Sequence, residues 1–226
     1  DEAIKLRDSG IKLPVLVLGM ILKKDIPALF RYRIIPTVCT KDMAYALNSK
    51  ARAKDKVIKI HVKVDTGMGR IGVLHSDVLE FIKDISRLKF INIEGIFTHL
   101  ACADTDKDFT CYQIDLFNRL KKQLDNLGID VALFHAANSL GVVNYPDSHF
   151  NMVRPGLVIY GLYPKENLRI NLKPVLSLKT RIVYFKRVPE GYGISYGRTY
   201  VTKKEATIVN LPIGYGDGYP RNLSNK

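Results

Sequence analysis

Apolar and polar positions recur with two different periods in the first three quarters of the chain. Residues 58–65 (IKIHVKVD) alternate apolar and polar side chains, the period of two that is typical of a β-strand. Residues 76–88 instead place apolar side chains three or four positions apart, after a candidate N-cap at Ser76, which predicts a helix. A longer helix is predicted over residues 109–127 by the same spacing, and it ends at Gly128.

Short apolar runs between these segments predict further strands. They cover residues 15–19, 37–39, 91–98, 131–134 and 157–160. Residues 1–10 are predicted to be the end of a helix that stops at a glycine. Repeated strand–helix units imply a parallel sheet with right-handed crossovers, either an open doubly wound sheet or a (β/α)8 barrel. The open sheet fits the length better, because a barrel usually takes about 250 residues. A barrel fits only if the chain is truncated.

The pattern changes after Pro174. Residues 175–186 and 200–211 are rich in Val, Ile and Tyr, are separated by glycine turns and show no helical period. This composition predicts the start of an antiparallel β domain with too few strands to close. We therefore expect a partial α/β domain over residues 1–170, the first part of a β domain over residues 171–226, and an interruption at both ends.

Composition narrows the class of protein. The 226 residues are 46% hydrophobic, enough for a sizeable core, yet no apolar run is long enough to cross a membrane and the charged start is unlike a secretory signal. Three scattered cysteines favour the cytoplasm over an oxidising compartment. The net charge of +13 is spread along the chain, which favours a solvated surface over a nucleic-acid site. We expect no metal, nucleic-acid or membrane partner.

Side chains with useful chemistry fall where predicted strands end. Lys63 and Arg70 follow one strand, His99 ends the next, and Ser139 and Arg154 follow later ones. Residues at the carboxyl ends of barrel strands build active sites. This placement alone suggests a site without naming its ligand.

Six strings give the sequence a family resemblance over essentially its whole length. They are KVDTGMGRIG (63–72), GIFTHLACAD (95–104), AANS (136–139), MVRPGLVIYG (152–161), GISYGRT (193–199) and PIGYGDGYP (212–220). In this order the chain resembles bacterial alanine racemases; the first, fourth and fifth strings are specific when they occur together. The resemblance implies a truncated (β/α)8 TIM-type barrel, a following β domain, pyridoxal 5'-phosphate as cofactor, and a homodimer whose subunits share each site.

The resemblance implies a role for each strand-end residue. Ser139 and the backbone amides of Gly156 and Leu157 match the phosphate-binding positions. Arg154 matches the arginine that bonds the pyridine nitrogen, and because an arginine only donates, it would keep that nitrogen unprotonated. Taken without the resemblance, a simple turn after Pro155 is the better explanation of Gly156, and an interdomain salt bridge is an alternative explanation of Arg154.

Three further residues match positions around the cofactor ring. Arg70 matches the arginine near the cofactor phenolate and the substrate carboxylate. His99 matches the histidine that lies beside the ring and contacts Arg154. Lys63 matches a lysine that is carbamylated in some members, although an ordinary strand-end lysine explains it equally well.

The resemblance also assigns two tyrosines of the second domain. Tyr196 matches the base that acts on L-alanine and is supplied by the other subunit, while the cofactor lysine serves the opposite face of the substrate. Tyr215 matches a residue at the site entrance, where the family more often has alanine at the position of Gly216. The catalytic residues implied are thus Tyr196, Arg154 and His99.

The string that carries the family's cofactor lysine, resembling VKADAYGH, does not occur in these residues. We therefore expect the 226 residues alone to be inactive, and the whole protein to interconvert L- and D-alanine and so supply D-alanine for peptidoglycan. The alternatives are a racemase of broader or different amino-acid specificity, a decarboxylase of the same fold, a non-catalytic protein that binds pyridoxal phosphate, and an interaction protein built on a degenerate barrel.

Overall fold

The computed structural model describes residues 1–165, 168 and 170–223. The chain divides into two compact units, Asp1–Pro174 and Val175–Lys226. The helices of the first unit are α1 (Glu2–Asp8), α2 (Ile26–Tyr32), α3 (Lys41–Ala53), α4 (Val78–Ile85), α5 (Lys107–Asn126) and α6 (Ser139–Asn144). Its strands are β1 (Val15–Val17), β2 (Ile34–Val38), β3 (Ile58–Asp65), β4 (Val73–Leu74), β5 (Ile91–Phe97) and β6 (Leu133–His135).

The strands of the first unit form one parallel sheet. Their order is β1-β2-β3-β5-β6, with the short β4 paired to the end of β3. Helices lie between successive long strands in the chain, as parallel connections require. The sheet curls into part of a (β/α)8 barrel, so the barrel prediction is confirmed and the open doubly wound alternative is wrong.

Strand β3 is buried on both of its faces. Ile60, Val62 and Val64 belong to the main hydrophobic cluster, together with residues of α3, α4 and α5. The alternate side chains His61 and Lys63 are only 2% exposed. The apolar residues of the alternation therefore face the helices, and the polar ones face the barrel interior and not solvent. This polar interior continues to the carboxyl end of the strand.

Several local predictions need correction. Residues 157–160 form a 3₁₀ helix, Leu157–Tyr160, and not a strand. The amides of Ile159 and Gly161 bond to carbonyls three residues earlier, so this apolar run closes a turn and does not join the sheet. The N-cap of α4 is Asp77, to which the Ser76 hydroxyl donates at 2.7 Å. None of the helices in the described residues has the length and apolar character needed to cross a membrane.

The second unit is made of short antiparallel pairs. The strands are β7 (Tyr184–Val188), β8 (Gly193–Ile194), β9 (Tyr200–Val201) and β10 (Ala206–Asn210). Strand β7 pairs with β10 along five residues, and β8 pairs with β9. The predicted start of a β domain is confirmed, but the first of its strands begins at Tyr184, not at residue 175. Leu176 and its neighbours are mostly exposed, and no strand of the described residues pairs with them.

Candidate active site

Arg154 lies among the carboxyl ends of β5 and β6. Its Nη1 lies 2.6 Å from Nδ1 of His135, and its Nη2 donates to the carbonyls of Thr98 at 2.7 Å and Ala136 at 3.3 Å. The backbone is fixed as well, because the Arg154 amide donates to the Ala137 carbonyl at 2.9 Å. The guanidinium is therefore held by several elements at once.

Two rings support this guanidinium. The Phe97 ring stacks on His135 with centroids 4.8 Å apart and planes 5° apart, and the Arg154 guanidinium carbon lies 5.1 Å from the Phe97 centroid. Lys63 Nζ lies 5.7 Å from the same centroid. An aromatic face attracts cations, so Phe97 lets two cations share a buried space. Phe97 carries no functional signal in the sequence, because an apolar residue at a strand end looks like ordinary core.

Burial lowers the pKa of three basic groups of the site, and repulsion between cations lowers it further for two of them. Burial lowers the pKa of Lys63, and the charges of Arg70 and Arg154 lower it further. Burial also lowers the pKa of His99 to about 4, with added repulsion from Arg154, Lys63 and Arg70, while burial alone lowers the pKa of Arg154 to about 10. At neutral pH Arg154 stays charged and His99 is neutral. A positive site of this kind favours anionic ligand groups.

His99 and Arg154 come close to each other, with His99 Nδ1 and Arg154 Nη2 3.5 Å apart. His99 is half-buried, and its carbonyl accepts from Nε2 of Gln113 at 3.2 Å. Gln113 also donates to Thr66, whose hydroxyl lies 2.7 Å from that of Thr98. This buried network ties the loop after β3 to the end of β5. Gln113 was missed because a single amide in a long helix carries no sequence signal.

The loop that carries Arg70 is shaped by Asp65. The Asp65 carboxylate accepts from the amides of Gly67, Met68 and Gly69 at 2.9 to 3.1 Å. Gly67 and Gly69 have φ values of +133° and +65°, which favour glycine. Arg70 follows this turn and is exposed. This role of Asp65 has a signal in the sequence, because an aspartate before glycines is typical of a turn.

The predicted phosphate-binding residues lie side by side. Ser139 is the first residue of α6 and is 7% exposed, and its Oγ accepts from the Gly156 amide at 2.9 Å. Leu157 opens the 3₁₀ helix, and the first amides of any helix have no partner within it. A hydroxyl, adjacent amides and a nearby cationic cluster form a donor set that fits a phosphate-bearing, anionic cofactor.

Tyr196 and Tyr215 belong to the second unit, while the other predicted site residues belong to the first. Both line one concave surface with Tyr200 and Tyr219. Tyr196 is 97% exposed. Its neighbours Ser195 and Arg198 have φ values of +58° and +48°, which are uncommon for residues other than glycine. Strained backbone of this kind is concentrated at functional sites.

The curled parallel sheet, with a cationic cluster at its carboxyl end, places the first unit among the (β/α)8-barrel proteins. Comparison with known proteins gives the family. The profile "Alanine racemase, N-terminal domain" matches residues 1–164, and "Alanine racemase, C-terminal domain" matches residues 175–226. The chain belongs to the alanine racemase family.

Individual relatives agree with this assignment. An alanine racemase of Halothermothrix orenii is 47% identical over all of this chain and 60% of its own length. The solved alanine racemase of Clostridium difficile 630 is 37% identical with a TM-score of 0.87, covering 97% of this chain and 59% of its own. A histidine racemase of Leuconostoc mesenteroides is 30% identical with a TM-score of 0.81, covering 98% and 60%. The chain thus spans about three fifths of the length of these relatives.

Proposed function

We propose that the protein containing these residues interconverts L-alanine and D-alanine with pyridoxal 5'-phosphate as its cofactor. Support comes from relatives named alanine racemase that match along the whole chain. The observation that carries the proposal is the Arg154 guanidinium, which is held at the carboxyl end of the barrel sheet two residues before Gly156. The proximity of Arg154 to Gly156 along the chain supports a cofactor site that contains both a permanent donor and the proposed phosphate-binding residues.

The residues present would hold the cofactor at two ends. Ser139 and the amides of Gly156 and Leu157 would bind its phosphate, and Arg154 would donate to its pyridine nitrogen. When bound, pyridoxal phosphate withdraws electrons from the substrate and makes its Cα–H more acidic. The guanidinium of Arg154 only donates hydrogen bonds and keeps its charge. It would therefore leave the pyridine nitrogen unprotonated. That restrains electron withdrawal and disfavours side reactions such as transamination.

Racemisation needs a proton-transfer group on each face of the substrate. We assign Tyr196 to one face, as the base that acts on L-alanine, and the cofactor lysine expected outside these residues to the other. The exposed Tyr196 side chain is available to another subunit, so we propose a homodimer in which Tyr196 completes the partner's site. On this account the 226 residues alone are inactive.

Arg70 and Lys63 would act on the substrate side. Arg70 would pair with the substrate carboxylate and the cofactor phenolate. Lys63 lies close enough for its charge to interact with that of Arg70, and carbamylation would change this repulsion into attraction. His99, neutral at pH 7, would lie beside the cofactor ring without adding a charge. Tyr215 would line the entrance to the site.

Substrate specificity is the main alternative within this proposal, since a relative acts as a histidine racemase. The test uses the full reading frame with pyridoxal phosphate and measures both enantiomers after incubation with L-alanine, L-serine, L-lysine or L-histidine. Fastest D-alanine formation supports the proposal. Faster racemisation of another amino acid contradicts the alanine assignment, and cofactor binding without any racemisation would indicate a carrier protein. D-alanine for peptidoglycan, made in the cytoplasm, is the proposed physiological role.

A further inference from the structure

Two groups of the barrel interior, the buried His61 and the half-buried Glu94, are not used by the mechanism above. We propose that they are positioning residues: they fix the tautomer of His135 and, through it, the orientation of the Arg154 guanidinium. The effect on catalysis rests on the proposed function, in which Arg154 faces the cofactor. The hydrogen-bonded relay itself is a property of this chain.

The relay consists of two short hydrogen bonds and one longer ion-pair contact. Arg154 Nη1 lies 2.6 Å from Nδ1 of His135, His135 Nε2 lies 2.8 Å from Nδ1 of His61, and His61 Nε2 lies 3.6 Å from Oε2 of Glu94. His135 is fully buried and His61 is 2% exposed. The series therefore leads from the carboxyl end of the sheet down through the barrel interior.

The donor at each step follows from the first one. A guanidinium can only donate, so Nδ1 of His135 must be the acceptor. A neutral His135 then carries its proton on Nε2 and donates to Nδ1 of His61. His61 in turn carries its proton on Nε2, which faces the Glu94 carboxylate. The Glu94 carboxylate lies 3.6 Å away, beyond hydrogen-bond length, and favours this proton position through its charge. Both hydrogen bonds of the relay therefore run in one direction.

A β-bulge in β5 accommodates this series of contacts. The pairing of β3 with β5 shifts between Ile60 and His61, so that Ile60 pairs with Ile93 and His61 pairs with Gly95. Glu94 is the extra residue of this bulge, and its carboxylate reaches both His61 and Lys59, on the polar side of β3. Bulges redirect side chains in this way and are common beside active sites.

Gly95 provides the second structural device. A Cβ at Gly95 would collide with the His61 ring, so the absence of a side chain lets that ring lie across β5 toward His135. At the other end of the relay, the Glu94 carboxylate accepts from Lys59 Nζ at 2.5 Å. The charge of Glu94 is thus compensated at the far end, while its other oxygen faces His61.

The tautomers can be measured without turnover. We would record ring ¹⁵N–¹H spectra of the histidines in the full-length protein loaded with pyridoxal phosphate. The expected result is that His61 and His135 both carry their proton on Nε2 and have bare Nδ1 atoms. A proton on Nδ1 of His135 would overturn the proposal. Because this spectrum needs no substrate, it separates failure of the relay from failure of the proposed racemase activity.

Matched variants then test positioning. His61→Leu removes the acceptor for His135, whereas His61→Asn places an amide oxygen near the former Nδ1. We expect His61→Leu to lower kcat by about tenfold or more, the scale of one lost buried hydrogen bond, with little change in KM and a mixed His135 tautomer. His61→Asn should restore most of kcat. Equal kcat values in His61→Leu and the unmodified protein would overturn the proposal.

The other end of the relay gives a second pair. Glu94→Gln keeps an acceptor for His61 and should keep the His135 tautomer, while Glu94→Leu should lose it and lower kcat. Gly95→Ala should act like Glu94→Leu, because the new methyl group displaces His61. If Glu94→Leu and Gly95→Ala leave both the His135 spectrum and kcat unchanged, Glu94 has no positioning role.

Discussion

The Nη1 atom of Arg154 lies 2.6 Å from Nδ1 of His135, and both groups lie against Phe97. The same guanidinium donates to the Thr98 carbonyl at 2.7 Å. A single side chain therefore joins the ends of β5 and β6 and, in the proposed function, also contacts the cofactor. The orientation of this cation depends on its fork geometry, which a lysine of equal charge does not have.

Arg154→Lys should consequently lose stability as well as activity. A lysine cannot reach His135 and the Thr98 carbonyl together, and a hydrogen bond to a charged group contributes about 1.5–3 kcal/mol. We expect the free energy of unfolding to fall by about 2 kcal/mol in urea titration and racemisation to fall with it. Arg52→Lys, at an exposed position of α3, is the control and should be neutral. Equal unfolding midpoints for both variants would contradict this account of Arg154.

Two histidines of the site, the half-buried His99 and the buried His135, predict a loss of stability in acid. Both pKa values are lowered from 6.5, that of His99 to about 4 and that of His135 to about 2, by burial first and by Arg154 next. Between these values and 6.5 the unfolded chain binds more protons than the folded chain. Stability is therefore present above pH 6.5 and is lost as pH falls toward 4 and below.

Urea midpoints at pH 7, 6 and 5 measure this loss before most carboxylates titrate. His99→Gln removes one of the contributing groups and should flatten the decline over this range. Parallel declines in the unmodified protein and in His99→Gln would show that His99 does not titrate as described.

Ser139→Ala tests the phosphate site. It removes the Oγ that accepts from Gly156 and that would bind the cofactor phosphate. Loss of one hydrogen bond to a charged group predicts about ten- to a hundredfold weaker pyridoxal phosphate binding, measured by titration of the cofactor absorbance after dialysis. Ser86→Ala, at an exposed position after α4, should bind normally. Unchanged affinity in Ser139→Ala would exclude Ser139 from the phosphate site.

Lys63 should react with carbon dioxide. Its lowered pKa increases the fraction of uncharged amine, which attacks carbon dioxide, forms the N–C bond and releases a proton. Protein equilibrated with ¹³C-bicarbonate should show a carbamate resonance that is lost in Lys63→Met. Lys59→Met, four residues earlier on β3 and more exposed, should keep it. A carbamate that persists in Lys63→Met would assign it to another lysine.

The sequence predicts correctly those helices and strands whose apolar period is long and regular. Strand β3 and helix α5 were predicted because their periods are long and regular. Residues 157–160 were predicted wrongly as a strand, since four apolar residues fit a strand and a 3₁₀ turn equally. Helices α2 and α3 were not singled out from the sequence.

The site residues likewise divide into those that the sequence identifies and those that it does not. Lys63, His99 and Arg154 could be named because they fall at strand ends inside recognisable strings, and the structure brings them together. Glu94, Gln113 and Phe97 could not be named. Their importance depends on a register shift, a buried network and a stacked ring, all of which join residues far apart in the sequence.

Racemisation by the full reading frame, compared with that of its Tyr196→Phe variant, tests the central claim most directly. Each would be incubated with pyridoxal phosphate and L-alanine, and D-alanine would be followed by chiral chromatography, with Tyr200→Phe as a control from the same concave surface. Because Tyr196 is 97% exposed, its replacement should leave the unfolding midpoint nearly unchanged. We predict D-alanine formation that Tyr196→Phe nearly abolishes and Tyr200→Phe retains. Failure of the cofactor-loaded protein to form D-alanine, or full activity in Tyr196→Phe, would contradict the account.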